Sequence, residues 1–281
     1  MKKTGMTLLL ALSFAVVCGA IQPAFCSGSP SRAEASPSGV RVTFVGNCGF
    51  LISVDGKKVL IDAMFAGFPG GYELPKDVRE ALVNARPPFD DVNLILVTHN
   101  HGDHFDAPIV RQYLKNNPKA RLVSTAQVTG QLTDFGDRVT PLTATKGEPA
   151  QTDVEGIHVK AVYLSHGTLP PGQEETINYG YVVTVNGLTL FHTGDADPKL
   201  IDMSVPLSPE KPIDLAFISH FYFNDDPFSR KYVREWINGK YDFPIHYAYT
   251  TPPFNRAEIK SFYPDAVLFD KEMDSWDMPK K

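Results

Sequence analysis

The sequence predicts an α/β domain in which β-sheets are covered by helices, and three observations carry that prediction. Short apolar runs that alternate with period two recur along most of the chain, as half-buried strands do. Two such pairs flank Asp55-Gly56 and Asn186-Gly187, the strongest short-range hairpin signals. Strand, loop and helix then alternate repeatedly, which suits sheets with helices laid on their faces.

Taken in order, residues 40–45 read as a strand ending at Gly46, and 50–54 with 58–61 form the first hairpin, closed by Asp62. Residues 65–72, with three glycines, form a loop in which Phe65, Phe68 and Tyr72 either touch a ligand or pack on the surface. A helix over 75–83 begins near Pro75, a residue suited to a first helical turn. The continuous apolar run 92–97 is a buried strand. Residues 107–114 read as a helix, 121–124 as a strand and 138–140 as a weaker one. Residues 157–164 alternate clearly. The second hairpin joins 179–185 to 188–192. A buried strand over 213–218, a helix over 231–237, a short strand over 243–247, a helix over 255–262 and a last strand over 266–269 complete the pattern, with a frayed polar tail from Lys271.

The amino terminus reads as an export signal over residues 1–26: Lys2 and Lys3, an apolar stretch over 6–21, the break at Pro23, and small residues before the cut. The apolar stretch is shorter than the ~20 residues a bilayer span needs, so no stable membrane span is expected after cleavage. Residues 27–39, rich in Ser, Pro, Ala and Gly, form a flexible tether. The remaining 40–281 suffice for one domain with an ample core. Of the three cysteines only Cys48 lies beyond the signal, so an exported, periplasmic or secreted chain would carry no internal disulfide. The net charge of -5, with both signs dispersed, argues against nucleic acid as a partner and leaves a small-molecule substrate.

The chemistry concentrates in Thr98-His99-Asn100-His101-Gly102-Asp103-His104, directly after the strand over 92–97. Four potential metal ligands within six residues have no structural rationale as a solvated loop. Imidazole with carboxylate suits Zn²⁺ and, less selectively, Mn²⁺ or Fe²⁺. Gly102 is expected to permit a tight path that aims successive side chains at one centre. Further candidates stand at later strand ends: His166 before Gly167, Asp195 after Gly194 with Asp197 as its rival, and His220 and His246.

This motif resembles the signature of the metallo-β-lactamase superfamily. The resemblance implies a four-layer αββα sandwich of two mixed β-sheets flanked by helices. It also implies two divalent metal ions, most often zinc. His99, His101 and His166 would hold one, Asp103, His104 and His246 the other, and Asp195 would bridge them. Asp62 corresponds to a residue that braces the metal loop, while His220 competes with His246 for the last ligand position and otherwise meets substrate, as Tyr247 also would. Many relatives carry a His where this chain has Asn47, to which no role is assigned. In such a site, with ions ~3.5–4 Å apart, a metal-bound hydroxide attacks the substrate, and Asp103 counts among the catalytic residues.

The superfamily hosts many reactions on one fold. Imidazole at 101, where flavodiiron-type relatives carry Glu, argues against an oxygen-reducing di-iron centre. Aspartate at 195, where many true β-lactamases carry Cys or Ser, favours branches that cleave lactones, thioesters or phosphodiesters. Gly46, the strand end at Asp62 and Ile245-His246-Tyr247 are similar to the bacterial group containing ascorbate-6-phosphate lactonase and N-acylphosphatidylethanolamine-cleaving phospholipase D. The expectation is an exported metal-dependent hydrolase of an ester-like bond. A mononuclear iron sulfur dioxygenase, a β-lactam hydrolase and a non-enzymatic metal-binding module stand as alternatives.

Overall fold

A computed structural model describes residues 39–67, 72–167, 175–204, 207, 212–247 and 255–280. The expected signal and nearly all of the tether lie outside the described residues, as does Phe68. Among the described residues no helix is long and apolar enough to cross a membrane.

The strands assemble into two mixed sheets. β1 (Val40–Gly46), β2 (Gly49–Val54), β3 (Lys57–Ile61), β4 (Leu94–Val97), β5 (Arg121–Ser124) and β6 (Val139–Pro141) lie side by side in the first. β7 (Ala150–Val154), β8 (Ile157–Tyr163), β9 (Tyr179–Val185), β10 (Leu188–His192), β11 (Leu215–Ser219) and β12 (Tyr241–Ile245) form the second. β13 (Ser275–Asp277) returns to the first sheet and pairs antiparallel with β1. Both expected hairpins form, with Asp55 and Asn186 at positive φ as such turns require.

Period-two alternation sorts the apolar side chains into three layers of packing. Phe44, Phe50, Ile61, Leu96, Tyr181, Leu190, Phe217 and Phe243 fill the space between the sheets. The other face of the first sheet is covered by α1 (Lys76–Val83) and α2 (Ala107–Asn116) through Leu82, Ile109, Tyr113 and Leu114. After the single turn α3 (Ala126–Thr129), α4 (Pro227–Arg230) runs into a π-helical stretch, Lys231–Ile237. That stretch and α5 (Arg256–Phe262) cover the outer face of the second sheet through Tyr232, Val233 and Ile259. The expected four-layer αββα sandwich is therefore what forms.

Strand direction decides where function can sit. β1, β3 and β4 run the same way, since β2 is antiparallel to both neighbours and β4 is parallel to β3. β8, β10, β11 and β12 likewise share one direction. All the candidate residues follow the carboxyl ends of these strands.

The carboxyl-terminal segment departs from expectation. Residues 266–269 are not a strand; they run irregularly, held by Val267 N donating to Asp242 O and by Phe269 stacked on Phe44. The tail is not frayed. Trp276 packs on Tyr241 and Phe243, the Arg41 guanidinium binds Asp277 through two hydrogen bonds, and Thr43 pairs with Ser275. Its polar composition hid a strand whose one apolar residue carries the docking. β7 went unread for a similar reason, because Ala150-Gln151-Thr152-Asp153 offers little apolar signal at a sheet edge. In the loop after β3 packing is what Phe65 and Tyr72 do: both are buried, and the Tyr72 hydroxyl donates to Glu272 at 2.5 Å.

Candidate metal centre

The motif loop begins where β4 ends, and a buried carboxylate holds it. Asp62, at the end of β3 and 1% exposed, accepts the Thr98 backbone N–H at 2.8 Å through Oδ1. Its Oδ2 accepts the Thr98 hydroxyl at 2.7 Å and lies 2.8 Å from His104 Nδ1. A carboxylate oxygen accepts here, so His104 carries a proton on Nδ1, which leaves Nε2 as the nitrogen open to a cation. The Thr98 hydroxyl, having given its hydrogen to Asp62, must accept from His99 Nδ1 at 3.0 Å, which leaves Nε2 of His99 bare as well. One buried aspartate thus sets two imidazole tautomers. The motif then ends in a helix cap, with Asp106 accepting from Ile109 N.

The later strand ends bring the remaining residues to the same place. Asp195 is the hub: its Oδ2 lies 3.0 Å from His246 Nε2, 3.6 Å from His166 Nε2 and 4.0 Å from His99 Nε2, while Oδ1 lies 3.2 Å from His104 Nε2. His99, His101 and His166 form one group, with ring centroids 4.6–4.8 Å apart. Asp103 Oδ2 stands 3.6 Å from both His104 and His246. His101 Nε2 lies 3.2 Å from the Thr176 hydroxyl, which orients the ring. All seven expected ligands therefore meet. Asp197 does not join them: it caps the turn that follows, accepting from Lys199 N.

The electrostatics differ between the two halves. Burial, reinforced by neighbouring imidazoles, holds His99 well below the ordinary histidine range and lowers His101 in the same sense. In the other half burial also opposes charge, yet Asp195, Cys48 and Asp62 outweigh it and raise His104 strongly. His246 is pushed up to about 11 because Asp195, Cys48 and Asp103 outweigh its burial. Burial alone would raise Asp195 and Asp103, but the surrounding histidines hold both below the usual carboxylate range, Asp195 far below. The carboxylates thus draw positive charge between them: a proton on His104 and His246 supplies it without a metal, and a bound cation would take that proton's place.

Nε2 of His99, His104 and His166 is buried without a hydrogen-bond partner. Each unpaired buried polar atom costs about 1–3 kcal/mol. Three of them converging on one carboxylate fit a divalent cation, whose preferred donors are imidazole nitrogen and carboxylate oxygen.

Several residues passed unnoticed in the sequence. Asn47, left without a role, donates from Nδ2 to Asp103 O at 3.2 Å and to Asp103 Oδ2 at 3.3 Å. It stands just past a bulge between Phe44 and Gly46 that redirects the chain end of β1. Asn178 supports the Asp195 loop, accepting Asp195 N at 3.2 Å and donating to Leu164 O and Thr193 O. His192 donates from Nε2 to Cys48 O and accepts Gly194 N, joining β10 to the turn after β1. Asn178 and His192 belong to no ligand motif, so only the fold could reveal them, whereas Asn47 stands where many relatives carry a His. The glycine that matters is Gly194, at φ +54, where a Cβ would stand 2.2 Å from Asn178 Oδ1 and 2.8 Å from Thr98 Cβ. Gly102, expected to permit a tight path, has open space around a Cβ.

His220 donates from Nδ1 to Ile245 O, beside the exposed ring of Phe221. Burial takes it down to about 4. Tyr247 is packed between the sheets against Phe44, and its hydroxyl accepts from Phe269 N at 3.4 Å. Its ring belongs to the core.

Comparison with known proteins adds to this geometry. A family model described as a β-lactamase superfamily domain matches residues 41–219. The chain is 26% identical over 215 residues to a UPF0173 metal-dependent hydrolase of Thermococcus onnurineus, covering 76% of this chain and 87% of the relative. A UPF0173 metal-dependent hydrolase of Pyrococcus furiosus is 29% identical over 219 residues, with coverage of 76% and 87%. Among solved structures, Igni18, a metallo hydrolase from Ignicoccus hospitalis, is similar in fold, with a TM-score of 0.61 at 21% identity over 87% of this chain and 100% of that one.

Proposed function

From a chain that belongs to the β-lactamase superfamily domain family, matched over residues 41–219, we propose a metal-dependent hydrolase that cleaves an ester-like bond in a small molecule. The observation that carries this reading is the convergence around Asp195 of three unpartnered imidazole nitrogens, with His101, His246 and Asp103 beside them. His99, His101 and His166 would hold one cation, His104, His246 and Asp103 a second, with Asp195 between them. When bound, divalent ions of the zinc type supply Lewis acidity and lower the pKa of water toward neutrality.

The chain's own groups do the rest. Asp62 and Thr98 keep the lone pairs of His99 and His104 aimed at the centre. Asn47 holds Asp103 by two hydrogen bonds, so that its carboxylate stays within 3.6 Å of His104 and His246. Phe221, 53% exposed and 6.0 Å from the His246 ring, supplies an apolar wall for the hydrocarbon part of a substrate. Aspartate at 195 supports a lactone, phosphodiester or thioester over a β-lactam.

Metal content by elemental analysis, with hydrolysis of bis-p-nitrophenyl phosphate, a lactone series, a thioester and nitrocefin, tests the proposal. Two equivalents of metal and turnover of one of the first three classes are expected. Turnover of nitrocefin alone, or iron-dependent oxygen consumption with a persulfide, would replace it. The basic and apolar amino terminus supports export as a further part of this reading, and cell fractionation tests it.

A further inference from the structure

Cys48 is fully buried in the turn after β1, among the apolar residues between the sheets. Its sulfur lies 4.0 Å from Asp195 Oδ1. One donor atom from each of Cys48, His104, Asp195 and His246 lies within 4.8 Å of the other three. A buried cysteine commonly serves as a small apolar filler. Here, however, it stands beside a nitrogen that lacks a partner: His104, 0% exposed, aims a bare Nε2 at Asp195 Oδ1 from 3.2 Å.

We infer that the Cys48 sulfur is itself a donor to the cation held by His104, His246 and Asp195, which makes this half of the centre selective for thiophilic ions. The inference rests on the metal-centre reading above and adds a ligand to it. Asp103 approaches the same two histidines with a partly exposed side chain, while the sulfur reaches them from the core. The His192 ring fixes the sulfur's backbone through the hydrogen bond to Cys48 O at 3.0 Å. As the sulfur–metal bond forms, the thiol proton leaves to solvent, with no change of oxidation state. Thiolate ligation favours Zn²⁺, Co²⁺ or Cd²⁺ over Mn²⁺ and Mg²⁺. Among the described residues no cysteine groups with His99, His101 and His166, so the two halves differ in softness.

Titration of the full chain with Co²⁺, followed by absorption spectroscopy, reads this directly. The native protein should develop visible ligand-field bands together with a near-ultraviolet sulfur-to-cobalt charge-transfer band, and Cys48→Ser should keep the former and lose the latter. Competition between Cd²⁺ and Mn²⁺ supplies a second measurement. Cys48→Ser should weaken Cd²⁺ by at least about tenfold, the lower end of what residues one step removed from a metal already cost, and leave Mn²⁺ unchanged. Ligand-field bands without charge transfer in the native protein, or a charge-transfer band that survives in Cys48→Ser, would overturn the sulfur ligand and leave the metal centre standing. Absence of any cobalt binding would overturn both. A chain with Cys18→Ser and Cys26→Ser keeps Cys48 as its one thiol, so its spectrum decides even where Cys48→Ser folds poorly.

Discussion

Replacing Asp62 by asparagine tests how the motif loop is armed. The amide must keep its oxygen where Oδ1 accepts Thr98 N–H, because the reverse orientation sets two donors face to face. The NH₂ group then occupies the place of Oδ2, 2.7 Å from the Thr98 hydroxyl and 2.8 Å from His104 Nδ1. It donates to His104 Nδ1, which moves the imidazole proton to Nε2. The Thr98 hydroxyl, released from Asp62, turns to donate to His99 Nδ1 and drives the same exchange there. Two lone pairs aimed at the centre become two N–H groups, although no ligand has been touched. A residue that orients metal-bound histidines typically costs 10–100-fold in affinity, about 1.4–2.7 kcal/mol. Loss of a hydrogen bond to a charged group adds about 1.5–3 kcal/mol to the stability change. Chelator competition for Zn²⁺ at neutral pH, with thermal melts of the same samples, measures both. Native zinc affinity in Asp62→Asn would refute the tautomer argument.

Three further outcomes follow from the structure. Asn47→Ala removes both hydrogen bonds to Asp103, and the metal beside Asp103 should be lost preferentially, leaving about one equivalent by elemental analysis after mild chelation. Gly194→Ala forces a side chain into the space of Asn178 and Thr98 from a left-handed backbone; it should destabilise by about 1–3 kcal/mol and weaken metal binding, read by melting and by metal content. Asp242 is pushed up to about 7 by burial, against which Arg234 acts weakly. The native state therefore holds that proton between about pH 4 and 7 while the unfolded chain does not, so the contribution is present below pH 4 and fades as pH rises to 7, by about 4 kcal/mol at most. Asp242→Asn should flatten that decline in urea titrations from pH 4 to 8.

The parts legible in the sequence were those with strong periodicity or dense chemistry. The two hairpins, the strand before the motif and the two helices over the first sheet announce themselves through alternation, turn residues and apolar spacing. His99, His101, Asp103 and His104 declare themselves by crowding. His166, Asp195 and His246 were placed through family resemblance, since a single histidine or aspartate after a strand carries little signal alone. The supports were invisible because their roles depend on distant partners. Asn47 acts on a residue 56 positions away, Cys48 lies near one 147 positions away, and Asn178 and His192 join segments that meet only in the folded chain. β13 escaped notice because a strand of three residues with one apolar side chain has no periodicity to detect.

That short strand has a consequence for how the molecule is made. β1 owes one full margin of its pairing to Ser275, Trp276 and Asp277, so its sheet is finished only when residues more than two hundred positions apart have found each other. Trimming the chain after Lys271 would strip that margin and present the bare flank of β1 to other molecules, the usual start of edge-to-edge clumping. Residues 275–277 thus act as a latch, and any segment fused just beyond them bears on solubility before it bears on chemistry.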